Sequence, residues 1–259
     1  MTVRTVAPSE LYSRLAPTYR EDFEVPHRKA YDQLAVEAVR TALEAGSTVV
    51  DVGCGVGRWV EWLIDDGHDV IGIEPSPGMA AVCRKADFGP RFELQELDVD
   101  SAVIGAASVD AVVAMGSIQY APNPVRSIAR MATWLRPGGS LWVLVDSLGA
   151  LVGELLRRGD DAQAIERVRT GRGRFGDAEC EVEHELFDAA GLAGALGAAG
   201  LVDVEVRGLL IGWAALPRDR AQAELVADWD RALARERALS LVPGMADLGK
   251  QLLATGTAP

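Results

Sequence analysis

Val49-Val50-Asp51-Val52-Gly53-Cys54-Gly55-Val56-Gly57-Arg58 is the stretch that decides the fold of this chain. Its first residues are β-branched and apolar, which suits a buried strand. Glycine then takes alternate positions, and Trp59, Val60, Trp62, Leu63 and Ile64 return at helical spacing. A strand, a glycine turn and a helix bring bare backbone against a ligand at a helix N-terminus. The dinucleotide-binding spacing G-x-G-x-x-G would need glycine where Arg58 stands. The run reads instead D-x-G-x-G-x-G, led by Asp51.

Strands and helices alternate outward from this turn. Asp69 to Glu74 reads as a second strand ending in an acid, and Pro75-Ser76-Pro77-Gly78-Met79 turns it into a helix. A carboxylate at that sheet edge, about twenty residues after the glycine turn, can accept both hydroxyls of a ribose. Phe92 to Glu96 gives a third strand and Ser108 to Met115 a fourth, followed by the loop Gly116 to Asn123. A helix over Pro124 to Leu135 ends in Arg136-Pro137-Gly138-Gly139, a type II turn signature. Ser140 to Val145 is the fifth strand.

This ordered set resembles the class I methyltransferases that use S-adenosylmethionine, in their small-molecule branch. The glycine motif, the acid-ended strand and the L-x-P-G-G turn before a strand carry the resemblance. It implies a Rossmann-like, mostly parallel seven-stranded sheet flanked by helices, with the last strand antiparallel. It also implies S-adenosylmethionine as cofactor and S-adenosylhomocysteine as product. Asp51 would lie near the methionine end. Gly53, Cys54, Gly55 and Gly57 would line the turn, and Glu74, Pro75 and Met79 the ribose side. Asp98, with Asp100 as the alternative register, would take the adenine amine beside Val99. Met115 and Gly116 would close the cofactor site. Tyr12 and Tyr19, in Leu11-Tyr12-Ser13-Arg14-Leu15-Ala16-Pro17-Thr18-Tyr19, match an N-terminal element that folds over cofactor and substrate. Gln119 and Tyr120 would face the acceptor together with Tyr19 and Asp146, and no metal is implied.

Composition sets bounds. The chain has 259 residues, 49% of them hydrophobic, enough for one large α/β domain with an added lobe. The net charge of −12 argues against a broad nucleic-acid or anionic-membrane surface. It leans toward a neutral or cationic small acceptor. Three widely spaced cysteines, Cys54, Cys83 and Cys180, form no disulfide or metal pattern. With no apolar leader, the chain reads as cytoplasmic. Lysine is rare while Arg, Ala, Gly and Val abound, as in GC-rich bacterial genomes.

Four segments follow: an N-terminal helical lid (1–45), a cofactor-binding core (46–147), an inserted helical cap (148–185) and the rest of the sheet (186–259). Residues 218–240 read as a helical insertion that caps the site or pairs two subunits into a homodimer. Asp188 is placed to cap the helix running to Ala199, Gly200 to Val206 gives the sixth strand, and Gln251 to Thr255 the final one. His68 reads as a surface turn residue. A proton acceptor for methyl transfer to N, O or C would be Tyr120, Asp146 or His184. Other readings are a nicotinamide oxidoreductase, a transferase of another group from a related sulfonium, and a non-catalytic cofactor-binding subunit.

Overall fold

A computed structural model describes residues 3–259. The chain opens with β1 (Arg4–Thr5) and three helices, α1 (Pro8–Leu15), α2 (Tyr19–Asp22) and α3 (Pro26–Arg40). The core follows as β2 (Thr48–Val52), α4 (Arg58–Asp65), β3 (Asp69–Ile73), α5 (Pro77–Lys85), β4 (Phe92–Gln95), β5 (Val109–Met115), α6 (Pro124–Trp134) and β6 (Leu135–Asp146). Next come α7 (Leu148–Arg157), α8 (Asp161–Thr170), β7 (Arg172–Gly176), β8 (Cys180–Glu185), α9 (Ala189–Ala198) and β9 (Val202–Leu209). The chain closes with α10 (Ile211–Ala215), α11 (Arg218–Ala227), α12 (Trp229–Ser240) and β10 (Gln251–Thr257).

The main sheet has seven strands in the order β4-β3-β2-β5-β6-β10-β9. All neighbours are parallel except β10, which runs antiparallel between β6 and β9. Chain direction across the sheet reverses between β2 and β5, so the loops after these strands diverge and open a crevice at their carboxyl ends. Strand alternation divides the core in two. Val49, Ala111 and Val113 join α3, α4, α11 and α12 on one face, while Val50, Val52, Val112 and Ala114 join α6 and α9 on the other. Asp51, between Val50 and Val52, belongs to the first face.

Several boundaries differ from the expected ones. The fifth core strand begins at Leu135, five residues early. Leu135 pairs with Val109, Arg136 to Gly139 bulge out, and Ser140 resumes opposite Ala111. The inserted cap is not wholly helical. After α7 and α8 it becomes an antiparallel hairpin, β7 with β8, and β8 pairs in parallel with β1. Residues 218–240 form two helices broken at Asp228, whose side chain caps the second by accepting from Arg231 N–H. Ala221, Leu225 and Leu233 face inward, but Val226 is exposed. Arg237 grips Glu37 with two hydrogen bonds (2.7 and 2.8 Å), so α12 is fastened to α3. His68 is buried, not a surface residue. Asp188 does cap α9, accepting from Gly191 N–H at 2.6 Å. Among the described residues no helix is long and apolar enough to cross a membrane.

Candidate active site

The glycine turn forms one side of the crevice. Gly53, Gly55 and Gly57 all have positive φ (74°, 59° and 81°), a conformation glycine adopts without penalty. Their tasks differ. A Cβ on Gly53 would meet Ser117 Cβ at 2.3 Å, so its bareness lets the β2 and β5 loops touch. At Gly57 a Cβ would strike the Phe88 ring at 2.5 Å, so this third glycine packs against Phe88. A Cβ on Gly55 would meet only Gly53 O, at 4.0 Å, and Gly116 across the crevice faces open space. Cys54 is buried and its sulfur lies against Gly72.

Glu74 closes the next strand and is almost wholly buried. Its two oxygens accept from Gly55 N–H (2.9 Å) and Ser76 N–H (2.7 Å). Burial raises its pKa, and these two hydrogen bonds oppose the rise. Asp51 is buried with Oδ2 lacking any partner. Burial pushes it up to about 7, the Arg58 charge working against this and the Glu74 charge with it. Arg58 is itself paired with Asp32, which also accepts from Trp59 Nε1 at 2.9 Å.

A cavity of about 100 Å³ lies between these groups, walled by Gly55, Glu74, Met79, Gly116, Tyr12 and Tyr120. Tyr19, Gly53, Pro75 and Met115 complete the expected residues that reach it. The volume is below the 300–1,000 Å³ usual for ligand sites. The tyrosines explain why. Tyr12 sits edge-on to both Tyr19 (6.0 Å) and Tyr120 (5.4 Å), and burial raises the pKa of Tyr12 and Tyr19. The lid is seated by Ser13, whose Oγ accepts from Gly78 N–H at 3.1 Å and lies 2.9 Å from Ser76 Oγ.

The expected adenine side is not gathered here. Asp98 is exposed, with Oδ1 accepting from Ser101 N–H at 2.8 Å, and Val99 is buried in the core. Asp100 holds a buried, unpartnered Oδ1. Asp51, Cys54 and Gly57 also stand outside the cavity lining.

A second cavity of about 570 Å³ begins at Asp146 and Ser147. Phe175, His184, Leu186, Trp213 and Lys250 are among its walls. Tyr12 stacks on Phe175 at 6.2 Å and Tyr120 leans on His184 at 5.2 Å, so one aromatic layer divides the two cavities. Asp146 Oδ2 accepts from Gln119 Nε2 at 2.9 Å, and its backbone N–H donates to Gln119 Oε1 at 2.8 Å. Gln119 is therefore spent on holding Asp146. His184 Nε2 lies 3.5 Å from Asp146 Oδ2, while its Nδ1 is buried without a partner. Burial lowers the His184 pKa, with Asp146 opposing and Arg167 and Arg172 adding to the fall. The imidazole is thus neutral and able to take a proton.

Sequence reasoning missed the hairpin that carries His184. Its signal was present: Cys180, Val182 and His184 are buried while Glu181, Glu183 and Glu185 alternate with them. Trp213 and Lys250 left no local signal. Trp213 is placed by Glu236 on α12, whose buried carboxylate accepts from Gly212 N–H (2.9 Å) and Trp213 N–H (3.0 Å).

Comparison with known proteins agrees with this geometry. Residues 50–143 match a family model described as a methyltransferase domain. A "Ubiquinone biosynthesis O-methyltransferase" of Xanthomonas axonopodis pv. citri is 34% identical over 118 residues, covering 44% of this chain and 49% of that protein. The chain thus spans about half the length of such curated relatives. A chain of the Haloferax volcanii complex between the Trm112 methyltransferase activator and a methyltransferase shares the fold over 97% of both chains, with a TM-score of 0.65 and 21% identity. Phosphoethanolamine N-methyltransferase 2 of Haemonchus contortus, solved with S-adenosyl-L-methionine, aligns over 88% of this chain and 52% of that one, with a TM-score of 0.60 and 15% identity. Residues 50–143, which hold the glycine turn and the acid-ended second core strand, thus match a methyltransferase domain, within a sheet whose β10 runs antiparallel.

Proposed function

We propose that this protein moves a methyl group from S-adenosylmethionine to an N, O or C atom of a small molecule seated in the larger cavity. One observation carries the reading: bare backbone at Gly55 and Gly116 faces a pocket walled by the Glu74 carboxylate, one aromatic layer from a cavity large enough for an acceptor.

The residues fit the cofactor. Glu74 would hold the ribose hydroxyls with the lone pairs left after its two backbone bonds. The orphaned Asp51 carboxylate offers a countercharge for the amino-acid end. Tyr12, Tyr19 and Met79 would cover the rest, and Asp98 or Asp100 the adenine amine. The bound cofactor supplies an activated methyl on a positively charged sulfur. The chain's task is then to align the acceptor with it and exclude water. His184, neutral and steered by Asp146, would take the acceptor proton, with Tyr120 positioning the acceptor. The arginine-rich, GC-biased composition suits a bacterial chain, and natural-product biosynthesis is the role proposed for it.

Calorimetry with S-adenosylhomocysteine tests the reading. Wild type should bind it, and Glu74→Ala should bind about tenfold or more weakly, the loss expected for a charged hydrogen-bond partner. Turnover should add one methyl mass to the acceptor. Well-folded protein that takes up no S-adenosylhomocysteine would overturn it.

A further inference from the structure

The larger cavity carries charge that methyl transfer itself does not need. Five basic side chains, Arg157, Arg158, Arg174, Arg218 and Lys250, line it against two carboxylates, Asp146 and Glu154. Some of this charge is already neutralised. Arg158 pairs with Glu154, and Arg174 turns to Glu181 (3.3 Å) and Glu183 (3.4 Å) on its own hairpin. Among the described residues, Arg157, Arg218 and Lys250 have no ion-pair partner. They come from the end of α7, the start of α11 and the residue before β10, so no single element explains their meeting.

One flanking histidine lies in the field of two of these cations. His27 stacks on Trp213 at 5.0 Å and is pushed down to about 4, by burial first and then by Lys250, Arg28 and Arg218. Between the charges the wall is apolar, formed by Leu151, Leu186 and Leu216. Trp213 lies there too, its Nε1–H buried with no acceptor. Lys250 Nζ sits 5.4 Å from that indole ring.

We propose that the acceptor is an organic acid whose apolar body lies between Leu151, Leu186 and Trp213 and whose carboxylate or phosphate is held by Arg157, Arg218 and Lys250. That this molecule is the one methylated rests on the reading above; the preference for an anion is a property of the cavity alone. It reverses what the net charge of −12 suggested, because that charge is spread over the surface while three uncompensated cations converge on one concavity. Arginine matches either oxyanion with paired N–H donors, and lysine supplies a point charge.

The test uses three probes that share a phenol: 4-hydroxycinnamate, its primary amide, and 4-hydroxyphenyl phosphate. Each is titrated by calorimetry into the full chain, with and without S-adenosylhomocysteine. At least one anion should bind about tenfold or more tightly than the amide, as charge-assisted contacts provide, and the tighter of the two identifies the group. In the Arg218→Gln, Lys250→Gln double variant that advantage should shrink to about threefold or less, with S-adenosylhomocysteine affinity serving as the folding control. Equal binding of all three probes, binding of none, or an anion preference that survives in the folded double variant would overturn the inference. Anion preference without uptake of S-adenosylhomocysteine would instead overturn the cofactor reading and leave this one standing.

Discussion

Asp51 is a carboxylate held where its charge is costly, so a ligand bound beside it should respond to pH. Its pKa is raised from the ordinary carboxylate range to about 7, chiefly by burial. Below about pH 7 the folded, ligand-free protein therefore favours the protonated acid. By linkage, the stability that Asp51 contributes is greatest below about pH 4 and declines as pH rises to about 7. A cationic ammonium group beside it needs the ionised form. Affinity for S-adenosylhomocysteine should thus rise with pH and level off above about 7, and Asp51→Asn should flatten that profile in calorimetry from about pH 5.5 to 8. The position of Asp51 at the crevice was legible because motif and strand lie together in sequence. The same holds for Glu74, a few residues beyond the turn it closes. Lys250 and Arg218 were not legible. Each is an ordinary charged residue until α7, α11 and β10 bring them to one wall.

Elements with strong local signals came out of the sequence, and those made by long-range pairing did not. The glycine turn, α4 and α6 obey one clear period each. The hairpin β7–β8 is built from charged and glycine residues, and its burial depends on α1 and β1 lying against it. Gly173 shows how closely it packs, since a Cβ there would strike the His184 ring at 2.5 Å. The contact between lid and α5 gives a test. A Cβ at Gly78 would lie 2.7 Å from Ser13 Cα and from Ser13 O, both backbone, so α1 must lift. Within a helix the same change is favourable by roughly 0.5–1 kcal/mol. Gly78→Ala should therefore leave the thermal midpoint unchanged or raised, while S-adenosylhomocysteine dissociates about tenfold faster in stopped-flow fluorescence. Faster release together with a lowered midpoint would mean the substitution had damaged the core, not the lid.

Across the whole molecule, lid and cap are one structure although they lie far apart in sequence and only a short ladder joins them: Arg4 N–H donates to Glu179 O (3.1 Å) and Val6 N–H to Glu181 O (2.9 Å). Arg14 adds ion pairs to Asp177 (3.2 Å) and Glu179 (2.9 Å). His184, on β8, belongs to this small sheet, and Tyr120 of the smaller cavity leans on its ring. The walls of the two cavities therefore touch. Occupancy of one should be felt as affinity in the other, and the factor must be identical in both directions, since binding cycles close. Titrating each ligand at fixed saturations of its counterpart should give matching ratios of about five or more. Val6→Pro, which deletes one rung of the ladder, should bring both ratios toward unity together. A two-stranded seam at the chain's beginning would then set the order in which this protein fills and empties.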